Sequence, residues 1–188
     1  MPANRLKRIP YATLNELLEH ELPKEKGEYD KTAVLVERLS HICKSKTVTR
    51  SEFLAMCRWK SPRAVKHYSK NHTKSIQEAV GAALSTRSER GRLALLTGLK
   101  GVNVPMASAI LMLTNPKRYG VIDIRVWQLL YALGSVTSKP SGKGFSFNNW
   151  YHYLQKLRYF AKKHRVSVRT VERTLFRYHK RVQLGTLY

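Results

Sequence analysis

Leu99-Lys100-Gly101-Val102-Asn103-Val104-Pro105-Met106-Ala107 is the stretch on which the reading of this chain turns. Before it, Leu93, Leu96 and Leu99 recur at helical spacing; after it, Ala107, Ile110 and Leu111 do the same. The four residues 100–103 form a turn around one glycine. Pro105 falls in the first turn of the second helix, where a missing N–H costs nothing because it has no intrahelical partner. The pattern predicts two helices joined by a tight turn and packed closely past small Ala107. The turn amides and the second helix's N-terminus then face outward and grip a phosphate without reading sequence. The plainer alternative is an ordinary turn between two helices.

Working outward, Asn115-Pro116-Lys117 breaks the second helix. Tyr119-Gly120-Val121-Ile122-Asp123-Ile124-Arg125-Val126-Trp127 then opens a third, with Asp123 where an N-cap residue belongs. Residues 135–147 form a basic loop of Ser, Gly, Pro and Lys. Its Ser141-Gly142-Lys143-Gly144 lacks the spacing of a P-loop and reads as a mobile segment able to contact phosphate. C-terminal helices are expected over 149–163 and 167–180. Upstream, apolar spacing predicts helices over 13–22, 31–43, from Thr49 or Ser51 to Trp59, 63–70 behind a Ser61 N-cap, 76–84 with a Ser75/Glu78 capping box, and 87–99. Residues 24–29 read as a charged loop, with Asp30 able to cap the 31–43 helix. No segment alternates as a strand would, so the fold class is all-α. The whole of 1–188 is read as one compact unit, with the hairpin core at about 87–133.

Composition narrows the partner. The chain has 188 residues with 35 Lys plus Arg and 12 Asp plus Glu, giving +23. At 43% hydrophobic it can build a core, so it is not a disordered basic tail. A folded protein of this charge meets a polyanion, and nucleic acid is the first candidate. No stretch has the ~20 apolar residues of a membrane span, and the first ten residues lack the apolar centre of a signal peptide. Two cysteines, Cys43 and Cys57, are too few for a four-thiolate zinc or iron–sulfur site and argue against a disulfide scaffold. The seven histidines show no metal-binding spacing. Neither a metal nor a cofactor is expected, and the compartment reads as reducing.

The carboxylates are unevenly placed. Residues 1–90 carry 18 basic and 10 acidic side chains; residues 91–188 carry 17 and 2. Those two acids are Asp123 and Glu172. A carboxylate in so basic a half weakens phosphate binding unless it has a task. Glu172 reads as an ion-pair partner of Arg169 or Arg173 on one helix face.

The hairpin followed by Val121-Ile122-Asp123 resembles the helix-hairpin-helix base-excision DNA glycosylase superfamily, which includes the endonuclease III and 3-methyladenine glycosylase branches. The resemblance covers about residues 93–133. It implies a two-lobed fold with the hairpin and Asp123 at the cleft between lobes. It also implies a monomer that acts on double-stranded DNA carrying a damaged or modified base, flips the nucleotide and excises the base. The Asp faces the flipped nucleoside, where a carboxylate stabilises the oxocarbenium-like sugar. Lys100, Gly101, Val102, Asn103 and Val104 would anchor phosphate. Two departures stand out. Asn103 replaces the motif's usual second glycine, and Asn tolerates a left-handed turn. Pro105 occupies the place of the bifunctional members' catalytic lysine and has no amine for a Schiff base. The implied enzyme is therefore monofunctional and leaves an abasic site where an alkylated, deaminated or hypermodified base stood, for repair or for defence against foreign DNA. It would be cytoplasmic, and nucleoid-associated in a prokaryote.

Base flipping needs a wedge and a stacking pocket. Trp59, Lys60, Trp127, Trp150 and the tyrosines are candidates; Lys60 is also a candidate displaced amine. The plainer reading makes Trp59 and Trp127 core residues and Lys60 a solvated lysine. Two functional alternatives stay open: a hairpin module that only binds DNA, and a helix-turn-helix regulator reading sequence through Arg169, Arg173 and Arg177 on 167–178.

Overall fold

A computed structural model of the protein describes residues 6–23 and 31–187. The charged loop 24–29, Asp30 as a cap, and the first five residues lie outside the described residues. Within them the architecture is all-helical: α1 (Leu14–Glu21), α2 (Lys31–Ser45), α3 (Arg50–Lys60), a 3-10 turn (Pro62–Ala64), α4 (Val65–Tyr68), α5 (Thr73–Ser85), α6 (Glu89–Thr97), α7 (Val104–Thr114), α8 (Ile124–Ala132), α9 (Phe147–Lys163) and α10 (Val168–Val182). The only extended pairing among the described residues is a single antiparallel bridge between Leu6 and Gln183.

Helix starts are set by side-chain caps. Thr13, Ser88, Asn103, Asp123 and Ser167 each accept a backbone N–H of the first turn. Thr49 with Glu52, and Ser146 with Asn149, close full capping boxes. Each such cap stabilises its helix by about 1 kcal/mol. Three sequence expectations are corrected. Ser61 makes no side-chain cap, because Pro62 first leads into the 3-10 turn. The expected Ser75/Glu78 box does not form: α5 starts earlier, behind His72, and Ser75 lies inside it. The 135–147 loop is tied down, since Trp127 Nε1 donates to the Ser138 carbonyl (3.1 Å) and Gln128 Nε2 to that of Ser141 (3.0 Å). Gly142, in a left-handed conformation, has so little room that a Cβ would lie 3.0 Å from the Ile124 carbonyl.

The core forms around α7. Every residue from Met106 to Thr114 is buried, because the helix is apolar all round and is covered by α2, α3, α6 and α9. Each large side chain there contributes roughly 1.5–3 kcal/mol through burial. The buried hydroxyl of Ser108 donates to the Pro105 carbonyl and accepts from Ile122 N–H at 3.1 Å, tying the hairpin helix to the approach of Asp123. The same core continues where α10 packs on α1, α8 and α9, with Val171, Leu175 and Tyr178 buried. No helix among the described residues is long and apolar enough to cross a membrane.

Candidate active site

Asp123 is the N-cap of α8. Its Oδ1 accepts the Arg125 N–H at 2.9 Å, which fixes the carboxylate on the helix axis end. Its Oδ2 receives the Lys60 ammonium, at the end of α3, at 2.8 Å. Both side chains are about a fifth exposed. Burial works to raise the Asp123 pKa, but the Lys60 charge and hydrogen bond and the Arg125 amide outweigh it, so the carboxyl titrates below its ordinary range. Capping and a placed, ionised carboxylate are thus the same arrangement. Lys60 is not the solvated lysine of the plainer reading.

Asp123 and Lys60 open into a cavity of about 300 Å³, whose walls come from the start of α2 (Thr32), the end of α3 (Trp59, Lys60), the strand-like approach to α8 (Val121, Asp123) and one face of α10. That volume sits at the lower end of small-ligand sites, ~300–1,000 Å³. Trp59 donates its indole N–H to Thr32 Oγ1 (3.2 Å), and the Arg169 guanidinium lies 5.6 Å from its ring centroid. Phe176 completes the aromatic lining.

Glu172 pairs with Arg169, as its helical spacing predicts, but does so from the inside: it is 2% exposed and lines this cavity. Burial raises its pKa, and nearby Asp123 adds to that, against the opposing charges of Arg169 and Lys60. Gly120 makes the approach of Glu172 possible: a Cβ at that position would stand 3.0 Å from the Glu172 Cβ and 2.7 Å from Leu157 Cδ1. Tyr153, fully buried on α9, donates to the Val121 carbonyl at 2.7 Å and braces the segment between the two acids. The only two carboxylates of residues 91–188 therefore line one cavity. The sequence clue was their scarcity; helical spacing predicts the Arg169 pair but not its burial.

The other candidates fall elsewhere. Trp127 is 2% exposed, packs its ring 5.1 Å from Phe145 and lies against a different groove, between the 135–138 loop and α9. Trp150 is in the core with its indole N–H unpartnered. The hairpin forms as expected, with Gly101 in the left-handed region (φ 75°). Its amides are only partly available. Lys100 N–H donates to Asn71 Oδ1 (2.8 Å), Asn71 Nδ2 returns a bond to the Lys100 carbonyl (2.8 Å), and Val102 N–H closes the turn on Leu99 (3.1 Å). Asn103 is not left-handed (φ −91°) and works as the α7 N-cap, accepting from Met106 N–H at 3.0 Å. The outward donors reduce to Gly101, Asn103 and Val104 N–H. Among the described residues, no three His, Cys, Asp or Glu side chains gather as a metal site requires.

In comparisons with protein families, curated proteins and solved structures, the chain matches none of them.

Proposed function

We propose that this protein is a DNA glycosylase of the helix-hairpin-helix type, which flips an abnormal nucleotide out of double-stranded DNA and hydrolyses its glycosidic bond. The observation that carries the reading is Asp123: an ionised carboxylate, fixed at both oxygens, at the mouth of a cavity lined by Trp59 and Phe176 in a protein of net charge +23. Cleaving an N-glycosidic bond builds positive charge on the sugar, and a preorganised carboxylate stabilises it without reorganising. The hairpin amides of Gly101, Asn103 and Val104, with the positive end of α7, suit a backbone phosphate. The packing of α2, α3 and α6 on α7, and of α1, α8 and α9 on α10, supports a reading in which Asp123 lies between two helix groups. The inward turn of Arg169 onto Trp59 and Glu172 weighs against a recognition helix, because that arginine is not presented to a groove.

The test is base release from duplexes carrying single damaged or modified bases, followed by alkali to cut abasic sites. Wild type cuts only after alkali, and Asp123→Asn binds DNA but releases nothing. Cutting without alkali, lost on Lys60→Met, assigns the reaction to the Lys60 amine instead of water. Tight DNA binding with silence across the panel favours a binding module.

A further inference from the structure

Two carboxylates share the cavity, and their surroundings differ in kind. Asp123 is anchored by a lysine and a helix N-terminus, both of which favour its charge. Glu172 comes from the second turn of α10, 2% exposed, and is held against the wall by the close approach that Gly120 permits. The groups that act on it are Arg169 on its own helix, Lys60 on α3, Asp123 ahead of α8 and Tyr153 on α9, and Arg173, Arg177 and Lys180 of α10 line the same cavity. We infer that Glu172 is the general acid that protonates the departing base, and that the site therefore takes an uncharged base with an acceptor nitrogen, not a cationic alkylated one. This rests on the glycosylase reading.

The chemistry needs such a group. When an uncharged base leaves, the electron pair of the C1′–N bond goes to the base, which becomes an anion unless a proton reaches one of its nitrogens. In the step assigned here the C1′–N bond breaks, the Glu172 proton goes to the base, Asp123 faces the cationic sugar, and water forms the new C1′–O bond. The proton lost by that water restores Glu172 through solvent, so atoms and charge balance. Paired carboxylates divided into a neutral acid and an ionised stabiliser are the recurring solution to this problem. Burial moves Glu172 toward the neutral form, while Lys60 and the Arg125 amide hold Asp123 ionised.

The aromatic wall points the same way. A cationic base is attracted to the face of an indole. Here the Arg169 guanidinium already stands over Trp59, and the Lys60 ammonium lies on Asp123. Arg173, Arg177 and Lys180 also line the cavity, so an alkylated, positively charged purine would meet five cationic side chains. An uncharged base would meet an aromatic surface and a proton donor.

The experiment is single-turnover base release from duplexes with uracil, hypoxanthine or 8-oxoguanine, and from one with 7-methylguanine, which leaves without protonation. Wild type should release at least one uncharged base faster than 7-methylguanine. Glu172→Gln, which keeps an oxygen for Arg169, should lower uncharged-base release ~100-fold or more and so collapse its ratio to 7-methylguanine release. In wild type, the uncharged-base rate should fall as pH rises through the Glu172 pKa, above the ordinary carboxylate range; this needs no variant to fold. An equal loss on both substrate kinds, no loss, or a rate that does not fall with pH overturns the assignment of Glu172. A wild type that prefers 7-methylguanine overturns the substrate class. A wild type that releases none of these bases, nor any other, overturns the glycosylase reading itself, and the assignment of Glu172 with it.

Discussion

Lys60 and Asp123 stand 63 residues apart in the chain and 2.8 Å apart in the fold. The contact joins α3 to the start of α8, so the carboxylate is held by the end of one helix and caps the start of another. Replacing Lys60 by Met removes the charge that opposes the effect of burial on Asp123. The Asp123 pKa should rise, because burial then acts with less opposing charge. The acid limb of the pH–rate profile for base release should move to higher pH. An unmoved limb means that the Arg125 amide alone sets the Asp123 charge.

The two roles of Asp123 separate by substitution. Asp123→Asn keeps an oxygen for the Arg125 N–H and loses only the charge paired with Lys60. Asp123→Ala loses that charge and the cap as well, and should cost about 1 kcal/mol more than Asp123→Asn. Thermal or urea unfolding of the two variants measures the difference. Equal losses would show that capping contributes nothing here.

His179 predicts an acid sensitivity that is unrelated to catalysis. Its ring is fully buried, both nitrogens lack a partner, and burial together with the Arg125 charge lowers its pKa to about 4. The folded state therefore holds it neutral while the unfolded chain protonates near 6.5. Its contribution is intact above about pH 6.5 and is lost progressively as pH falls toward about 4, by up to ~3 kcal/mol. His179→Leu should flatten that part of the stability–pH curve, as urea midpoints between about pH 7 and 4 will report.

Gly101 is required twice. Its φ of 75° is left-handed, and a Cβ there would lie 2.8 Å from both His67 Cβ and the Tyr68 amide nitrogen. Gly101→Ala combines backbone strain of ~1–2 kcal/mol with that clash and should cost about 2–4 kcal/mol in all. Because the turn must move, DNA affinity should fall as well. A variant with wild-type stability would mean that α4 yields readily.

Much of this was legible before folding. Period-3.6 apolar spacing located α1, α2, α3, α6, α7, α9 and α10 to within a few residues, and the Asp123 cap followed from its place before Val126 and Trp127. Spacing does not carry rotation about a helix axis once both faces have a partner. Glu172 lies among arginines, as a solvent-facing residue would, yet α10 is buried on that side because Gly120 leaves room. Trp59 and Trp127 look alike in sequence; one lines the Asp123 cavity and the other does not, according to which loop covers it. Asn103 had two valid uses, left-handed turn or cap, and Gly101 taking the turn decided between them.

The inward placement of Asp123 and Glu172 also leaves the remainder of residues 91–188 with seventeen cationic side chains and no other carboxylate side chain of its own. Such a surface is a polyelectrolyte of one sign. It neutralises itself only through neighbours such as Glu89, which holds Arg118 and Arg158, and through small anions from solution. Two copies repel wherever these surfaces meet. A polyanion that displaces the small anions gains its affinity from their release, so binding should weaken steeply as salt rises, whatever sequence or base the polyanion carries.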